Sequence, residues 1–170
     1  MKNDSRMIQI RRARWDQLDA ISESLSERPK ALHSERIRQQ MMGHSLYLFA
    51  WRSAVPVGHV IVKWPPWPER PWAVEWQARY ECCFIEDLWV LPDSRNGGIG
   101  RALMARAEAH CLGQEISRVG LHVGLDKGYE AAFHIYSSTG YKDLGHGRFI
   151  ESSPGSVEPV TFLLKDMGEH

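Results

Sequence analysis

Ile85-Glu86-Asp87-Leu88-Trp89-Val90-Leu91-Pro92 runs through Asp93-Ser94 into Arg95-Asn96-Gly97-Gly98-Ile99-Gly100-Arg101-Ala102-Leu103, and this stretch decides how the rest of the chain is read. An apolar strand carrying two adjacent carboxylates meets a glycine turn and then a helix start. Glycines at 97, 98 and 100 let the backbone come close to a ligand, and the first free N–H groups of the following helix point at whatever sits there. Such a turn can hold a pyrophosphate.

Two familiar phosphate loops fail on spacing. A P-loop needs Lys-Ser/Thr directly after its last glycine, whereas Gly100 is followed by Arg101-Ala102. A dinucleotide fingerprint needs a small residue three after its second glycine, and Leu103 stands there. What fits is Arg95-x-x-Gly98-x-Gly100, together with Tyr136-Ser137-Ser138-Thr139-Gly140-Tyr141 further on. These segments resemble the acetyl-CoA pyrophosphate loop and the Tyr-x-x-x-Gly-Phe/Tyr segment of the GNAT superfamily of N-acetyltransferases. The strand Ile85 to Pro92 is also similar to that of the spermidine/spermine acetyltransferases.

Composition agrees with an enzyme domain. At 170 residues the chain is expected to form one domain spanning 1–170. Lys+Arg and Asp+Glu are equal at 21 each, so no basic field suggests nucleic acid, and small-molecule partners are expected. Three cysteines without metal-ligand spacing, and no signal-like N-terminus, suit a reducing cytoplasm. No apolar run approaches the roughly 20 residues that span a bilayer, so a soluble protein without membrane partners is expected.

The punctuation of the chain predicts alternating elements. We read a strand over Met7 to Arg11, a helix from Trp15 or Asp16 to Ser26, and a weakly amphipathic helix from His33 to Met42. A strand pair, Leu46 to Trp51 and Val57 to Trp64, reads as a hairpin, and Tyr80 to Leu91 as the long central strand. Ile99 to Leu112 is a helix, Arg118 to Val123 a strand, and Tyr129 to Ser138 a helix. Two short strands, Lys142 to Gly145 and Val160 to Lys165, close the chain around a Gly/Ser/Pro-rich connection. Strands joined by both hairpins and helices indicate an α/β (α+β) mixed sheet. The resemblance implies a GNAT-like fold: six to seven mostly antiparallel strands, about four helices, and a sheet splayed at the cofactor site.

Strict alternation along the central strand puts Phe84, Glu86, Leu88 and Val90 on one face and Cys83, Ile85, Asp87 and Trp89 on the other, one carboxylate to each. Burial there raises a carboxyl's pKa and suits it to accept a proton from an ammonium. By resemblance Glu86 is the general base; the bland reading is that Glu86 pairs with an arginine and that Asp87 does the same or caps a turn. The resemblance also implies that backbone N–H groups of Leu88, Trp89 and Val90 meet the thioester oxygen and the pantetheine arm, with no metal. Tyr136 stands where the family places its general acid. Packing is the alternative, because Tyr129, Ala132, Phe133 and Tyr136 share one helical face.

The cofactor set is Leu88, Trp89, Val90, Arg95, Asn96, Gly97, Gly98, Ile99, Gly100, Arg101, Tyr129, Ala132 and Phe133, with acetyl-CoA as donor and CoA as product. Tyr129 replaces the family's usual Asn. His59, His110, His122 and His134 lack ligand spacing, and Cys82 and Cys83 lack a nearby His in sequence. Trp64 to Trp76 holds four tryptophans and four prolines in thirteen residues, and fits an acceptor pocket using Trp67, Trp72, Glu75 and Asp87, a homodimer interface, or a hydrophobic cover. Three functions remain: acetyl transfer to the primary amine of a small molecule or of a peptide; acyl-CoA binding without transfer; and an interaction protein built on the same scaffold.

Overall fold

The computed structural model describes residues 7–64, 71–126, 128–153 and 156–168, with side chains 71–74, 77 and 149–158 left aside. The strands are β1 (Ile8–Arg12), β2 (Ser45–Arg52), β3 (Val55–Lys63), β4 (Cys82–Val90), β5 (Arg118–Gly124), β6 (Lys142–Ser153) and β7 (Ser156–Asp166). The helices are α1 (Leu18–Ser24), α2 (Lys30–Met41), α3 (Pro71–Tyr80), α4 (Ile99–Gly113) and α5 (Glu130–Ser138), with 3₁₀ turns at Trp15–Gln17 and Pro92–Ser94. One seven-stranded sheet runs β1-β2-β3-β4-β5-β7-β6. Its β4–β5 pair is parallel, and the others are antiparallel. The mixed, mostly antiparallel sheet expected from the sequence is therefore present.

Both faces of the sheet are covered, which is why β2 is apolar almost throughout. Leu46, Leu48 and Ala50 face the main core with Val60, Val62, Cys83 and Ile85, and α4 adds Ile99, Leu103, Met104, Ala107 and Cys111 at helical spacing. Tyr47, Phe49 and Trp51 face the other way, into a second core with Ile21, Leu25 and Ile37 of the α1–α2 region. A third cluster sits under α3, where Trp76 stacks on Phe162 at 4.6 Å and donates from Nε1 to His122 Nε2 at 3.1 Å.

Three expectations need correction. The end of the Trp/Pro-rich segment and the start of the proposed central strand form the helix α3, so β4 begins at Cys82 rather than Tyr80; with α3 the described residues hold five helices, in line with the about four expected. Pro71 opens that helix at a first position where no N–H is required. The final strands are a long hairpin, and much of the Gly/Ser/Pro-rich connection pairs as strand. The second helix begins at Lys30 rather than His33, with Pro29 as its N-cap.

Candidate active site

The site is made where β4 parts from β5. Parallel pairing runs from Cys82↔Arg118 to Ile85↔Leu121 and stops. Beyond it β5 keeps only β7 as partner, while β4 stays on β3, so a fork opens with Glu86 as its first residue.

A β-bulge shapes that edge. Ile61 pairs with Glu86 and His59 with Trp89, so Asp87 and Leu88 together oppose Val60. Asp87 takes the left-handed conformation, φ 47°. The extra residue overturns the alternation expected from the sequence. Glu86 lies beside Lys63 and Asp87 beside His59, both on alternate positions of β3 that share a face with Ile61, so the two carboxylates lie on one face rather than two. Leu88 and Val90 return to the opposite face and pack with the main core.

The bulge also sets the amides. Leu91 N–H donates to Val57 O at 2.9 Å across the β3 ladder. Strand alternation gives Trp89 the same direction, which leaves the N–H groups of Leu88 and Val90 projecting into the fork. Of the three amides singled out in the sequence, these two face the opening.

Asp87 is enclosed by cations. Arg28, between α1 and α2, donates from Nε at 3.3 Å and from Nη2 at 2.7 Å, and Arg36 Nη1 of α2 lies 2.7 Å from Oδ2. Burial opposes ionisation of this carboxyl, but His59, the Arg28 hydrogen bonds and the Arg36 charge outweigh it and hold its pKa well below the usual carboxylate range. Glu86 Oε2 lies 3.4 Å from Lys63 Nζ. The arginine pairing weighed for these carboxylates is found at Asp87, with two arginines, whereas the cation beside Glu86 is a lysine rather than an arginine.

Behind them runs a buried polar chain. His33 Nε2 lies 3.3 Å from Leu25 O and Nδ1 lies 2.8 Å from Tyr47 Oη, which lies 2.8 Å from His59 Nδ1. The Leu25 carbonyl only accepts, so His33 Nε2 carries the proton, Tyr47 donates to Nδ1, and His59 Nδ1 donates to Tyr47. His59 Nε2 then faces Asp87 Oδ2 at 3.9 Å without a hydrogen-bond partner among the described residues. Burial pushes the His59 pKa down to about 3, so the ring is neutral at physiological pH. Sequence reading missed this chain. Its available signal was His59 and Lys63 on alternate positions of an otherwise apolar strand.

On the opposite side, Gly98 caps α4 with φ 79°, Asn96 is also left-handed at φ 61°, and the first helical hydrogen bond of the turn is Ala102 N–H to Gly98 O at 3.0 Å. The amides of Ile99, Gly100 and Arg101 therefore open toward a ligand. Arg95, Asn96, Gly97 and Gly98 are exposed. Arg95 donates to Val90 O at 2.9 Å and lies over the Trp89 ring at 4.7 Å, while Arg101 donates to Ser138 Oγ at 3.1 Å.

Helix α5 flanks the same side. Tyr136 is buried in the main core, beside Tyr141 and with partly buried Ala132 near it, whereas Phe133 and Tyr129 are exposed. Burial, with a smaller contribution from the Asp87 charge, raises the Tyr136 pKa, so its hydroxyl keeps its proton. Tyr129 lies flat against Gly124, where an added Cβ would stand 2.4 Å from its ring. Tyr129 and Phe133 line a groove of about 440 Å³ with Gly124, Leu125, Asp126, Glu130, His134 and Ser137.

The remaining candidates are dispersed. Trp67 lies outside the described residues, Trp72 falls in α3 with its side chain outside them, and Glu75 is exposed on α3. Trp76 is buried, which makes that end of the segment a hydrophobic cover. Cys82 and Cys83 are buried too, and burial pushes the Cys82 thiol up to about 12. No described helix is long and apolar enough to cross a membrane.

The model of the acetyltransferase (GNAT) family matches residues 8–141, which include the forked strand, the glycine turn and Tyr136. The chain belongs to the GNAT family. Solved GNAT structures share its fold. YncA of Salmonella typhimurium, solved with its cofactor acetyl-CoA, is 15% identical with a TM-score of 0.72, over 96% of each chain. PaiA N-acetyltransferase of Thermoplasma acidophilum, in complex with coenzyme A, is 16% identical over 94% of this chain and 99% of its own, with a TM-score of 0.63. Ribosomal-protein-alanine N-acetyltransferase of Brucella melitensis is 18% identical over 93% of this chain and 99% of its own, with a TM-score of 0.71. No curated protein sequence matches this GNAT chain.

Gly98 offers a direct test of the turn. A side chain in the left-handed region costs about 1–2 kcal/mol, so Gly98→Ala is expected to weaken acetyl-CoA binding about tenfold by calorimetry. Unchanged affinity would remove the turn from the cofactor site.

Proposed function

We propose that this GNAT protein is an acetyl-CoA-dependent N-acetyltransferase that acts on the primary amine of a small molecule by direct attack on the thioester. The observation that carries the reading is the fork itself. Glu86 is its first residue, the β4 edge beyond loses its β5 partner, the glycine turn follows β4 into α4, and Tyr136 of α5 lies in the adjoining core, an arrangement that supports the reading.

Acetyl-CoA supplies the activated acyl group, and the open N–H groups of the α4 start fit its pyrophosphate, with Arg95 and Arg101 on either side. The unpaired β4 edge fits its amide arm. Glu86 takes the proton that the amine loses as the new C–N bond forms. Leu88 and Val90 N–H groups hold the thioester oxygen as negative charge develops on it. Tyr136 gives its proton to the sulfur as the C–S bond breaks and the electron pair leaves with the thiolate. A raised phenol pKa supports that role, because the proton is in place at neutral pH. Solvent then returns Glu86 and Tyr136 to their starting states.

The test is acetyl-CoA-dependent thiol release against a panel of primary amines. Amine-dependent release is the expected result. The Lys63–Glu86 ion pair favours a second reading, an acyl-CoA-binding domain without transfer, because a lysine competes for the same carboxylate. Acetyl-CoA binding by calorimetry with no release across the panel would establish that alternative.

A further inference from the structure

Read along the chain, Glu86-Asp87 looks like a receptor for a cation. The fold neutralises both from within. Asp87 is held by Arg28 and Arg36, and Glu86 faces Lys63. Among the described side chains less than a third exposed at this wall of the fork, three cations, Arg28, Arg36 and Lys63, stand against two carboxylates. With His59 neutral, the described cations at this wall outnumber the described carboxylates by one. Glu27, beside Arg28, is exposed and screened by solvent, and Arg95 adds a further cation on the Trp89 ring. A polycationic acceptor meets like charge here, a cost that grows as water is excluded.

Arg28 is the cation placed to meet a ligand. Its side chain is 32% exposed, against 14% for Arg36 and 9% for Lys63. Nε and Nη2 serve Asp87, and Nη1 has no hydrogen-bond partner among the described residues. The two-point contact and the Trp89 ring, 5.8 Å from the guanidinium carbon, hold the group in place, so little side-chain freedom is lost when it binds. Asp87, which holds Arg28, is the chain neighbour of Glu86. The cation and the proton acceptor therefore lie on either side of one peptide link, a spacing that suits an amine and a carboxylate a few atoms apart.

We infer that the acceptor is a primary amine bearing its own carboxylate, of the amino-acid type, with Arg28 receiving that carboxylate while Glu86 faces the amine. The inference rests on the acetyl-transfer reading above. Its test uses the full-length protein, acetyl-CoA and a panel of α-, β- and γ-amino acids, each as free acid and as carboxamide, with spermidine alongside. The best free acid is expected to exceed its carboxamide in kcat/KM by about 10- to 100-fold, the range of one charge-assisted contact. Arg28→Gln is expected to abolish that preference by raising KM for the acid far more than for the carboxamide, and Arg28→Lys to restore part of it. A loss of folding would depress both substrates equally, and the wild-type comparison does not depend on the variant. Equal use of acid and carboxamide, or a preference for spermidine, would overturn the inference while leaving acetyl transfer intact. No turnover with any amine would overturn both.

Discussion

Replacing Asp87 with alanine is expected to destabilise the protein by about 3 kcal/mol, the cost of removing one partner from a buried ion cluster. The guanidiniums of Arg28 and Arg36 would be left facing each other with no carboxylate between them. The bulge would suffer as well, because Asp87 occupies a left-handed conformation that its side-chain contacts hold in place. Chemical denaturation at neutral pH measures the loss. Stability equal to the parent would show that the cluster contributes nothing.

The same cluster makes the protein acid-sensitive in two windows. The folded Asp87 pKa lies below its unfolded value near 3.9, so its stabilisation is complete above about pH 4 and is lost as pH falls further. His59 is buried neutral. Its folded pKa of about 3 lies below the unfolded value near 6.5, so the unfolded chain binds the extra proton and stability declines as pH falls between these values. Asp87→Asn should flatten the lower window. His59→Gln should flatten the upper one.

The largest kinetic effects are expected at Glu86 and Tyr136. Tyr136→Phe keeps the packing against Tyr141 and removes only the hydroxyl, so kcat is expected to fall about 100-fold with the fold unchanged. Glu86→Gln is expected to cost a similar factor at low pH, where the amine arrives protonated, and less as pH rises and solvent does the work of the base. Steady-state rates across pH with one cognate amine separate the two roles. Unchanged turnover in both variants at every pH would assign the chemistry elsewhere.

Much of the fold follows from short-range chemistry. Short apolar runs either side of a turn identified the strands β2 and β3, helical spacing identified α4, and the three clustered glycines could make only a tight turn into a helix start. The helix α3 was harder. The prolines of Trp64 to Trp76 disfavour regular structure in sequence, whereas Pro71 opens a helix, because a first helical position needs no N–H. The length of the final hairpin was also concealed, because Gly145 and Gly147 sit in an irregularity between Asp143 and Arg148 after which β6 resumes its pairing with β7 from Arg148.

The glycine turn, Glu86 and Tyr136 are proposed from local signals: residue type, spacing and position relative to a strand or helix. The partners of the two carboxylates give no such signal. Arg28 and Arg36 come from the α1–α2 region, and Lys63 and His59 from β3, brought together only when those elements pack on β4. One extra residue in the β4 ladder then turned two carboxylates expected on opposite faces onto the same face. Strand period is a local property, whereas a bulge depends on register with a neighbour, and the charge around a group depends on everything packed against it. The cofactor side of this GNAT protein was thus written in contiguous residues, while the electrostatics that bear on the acceptor arose from tertiary contact alone.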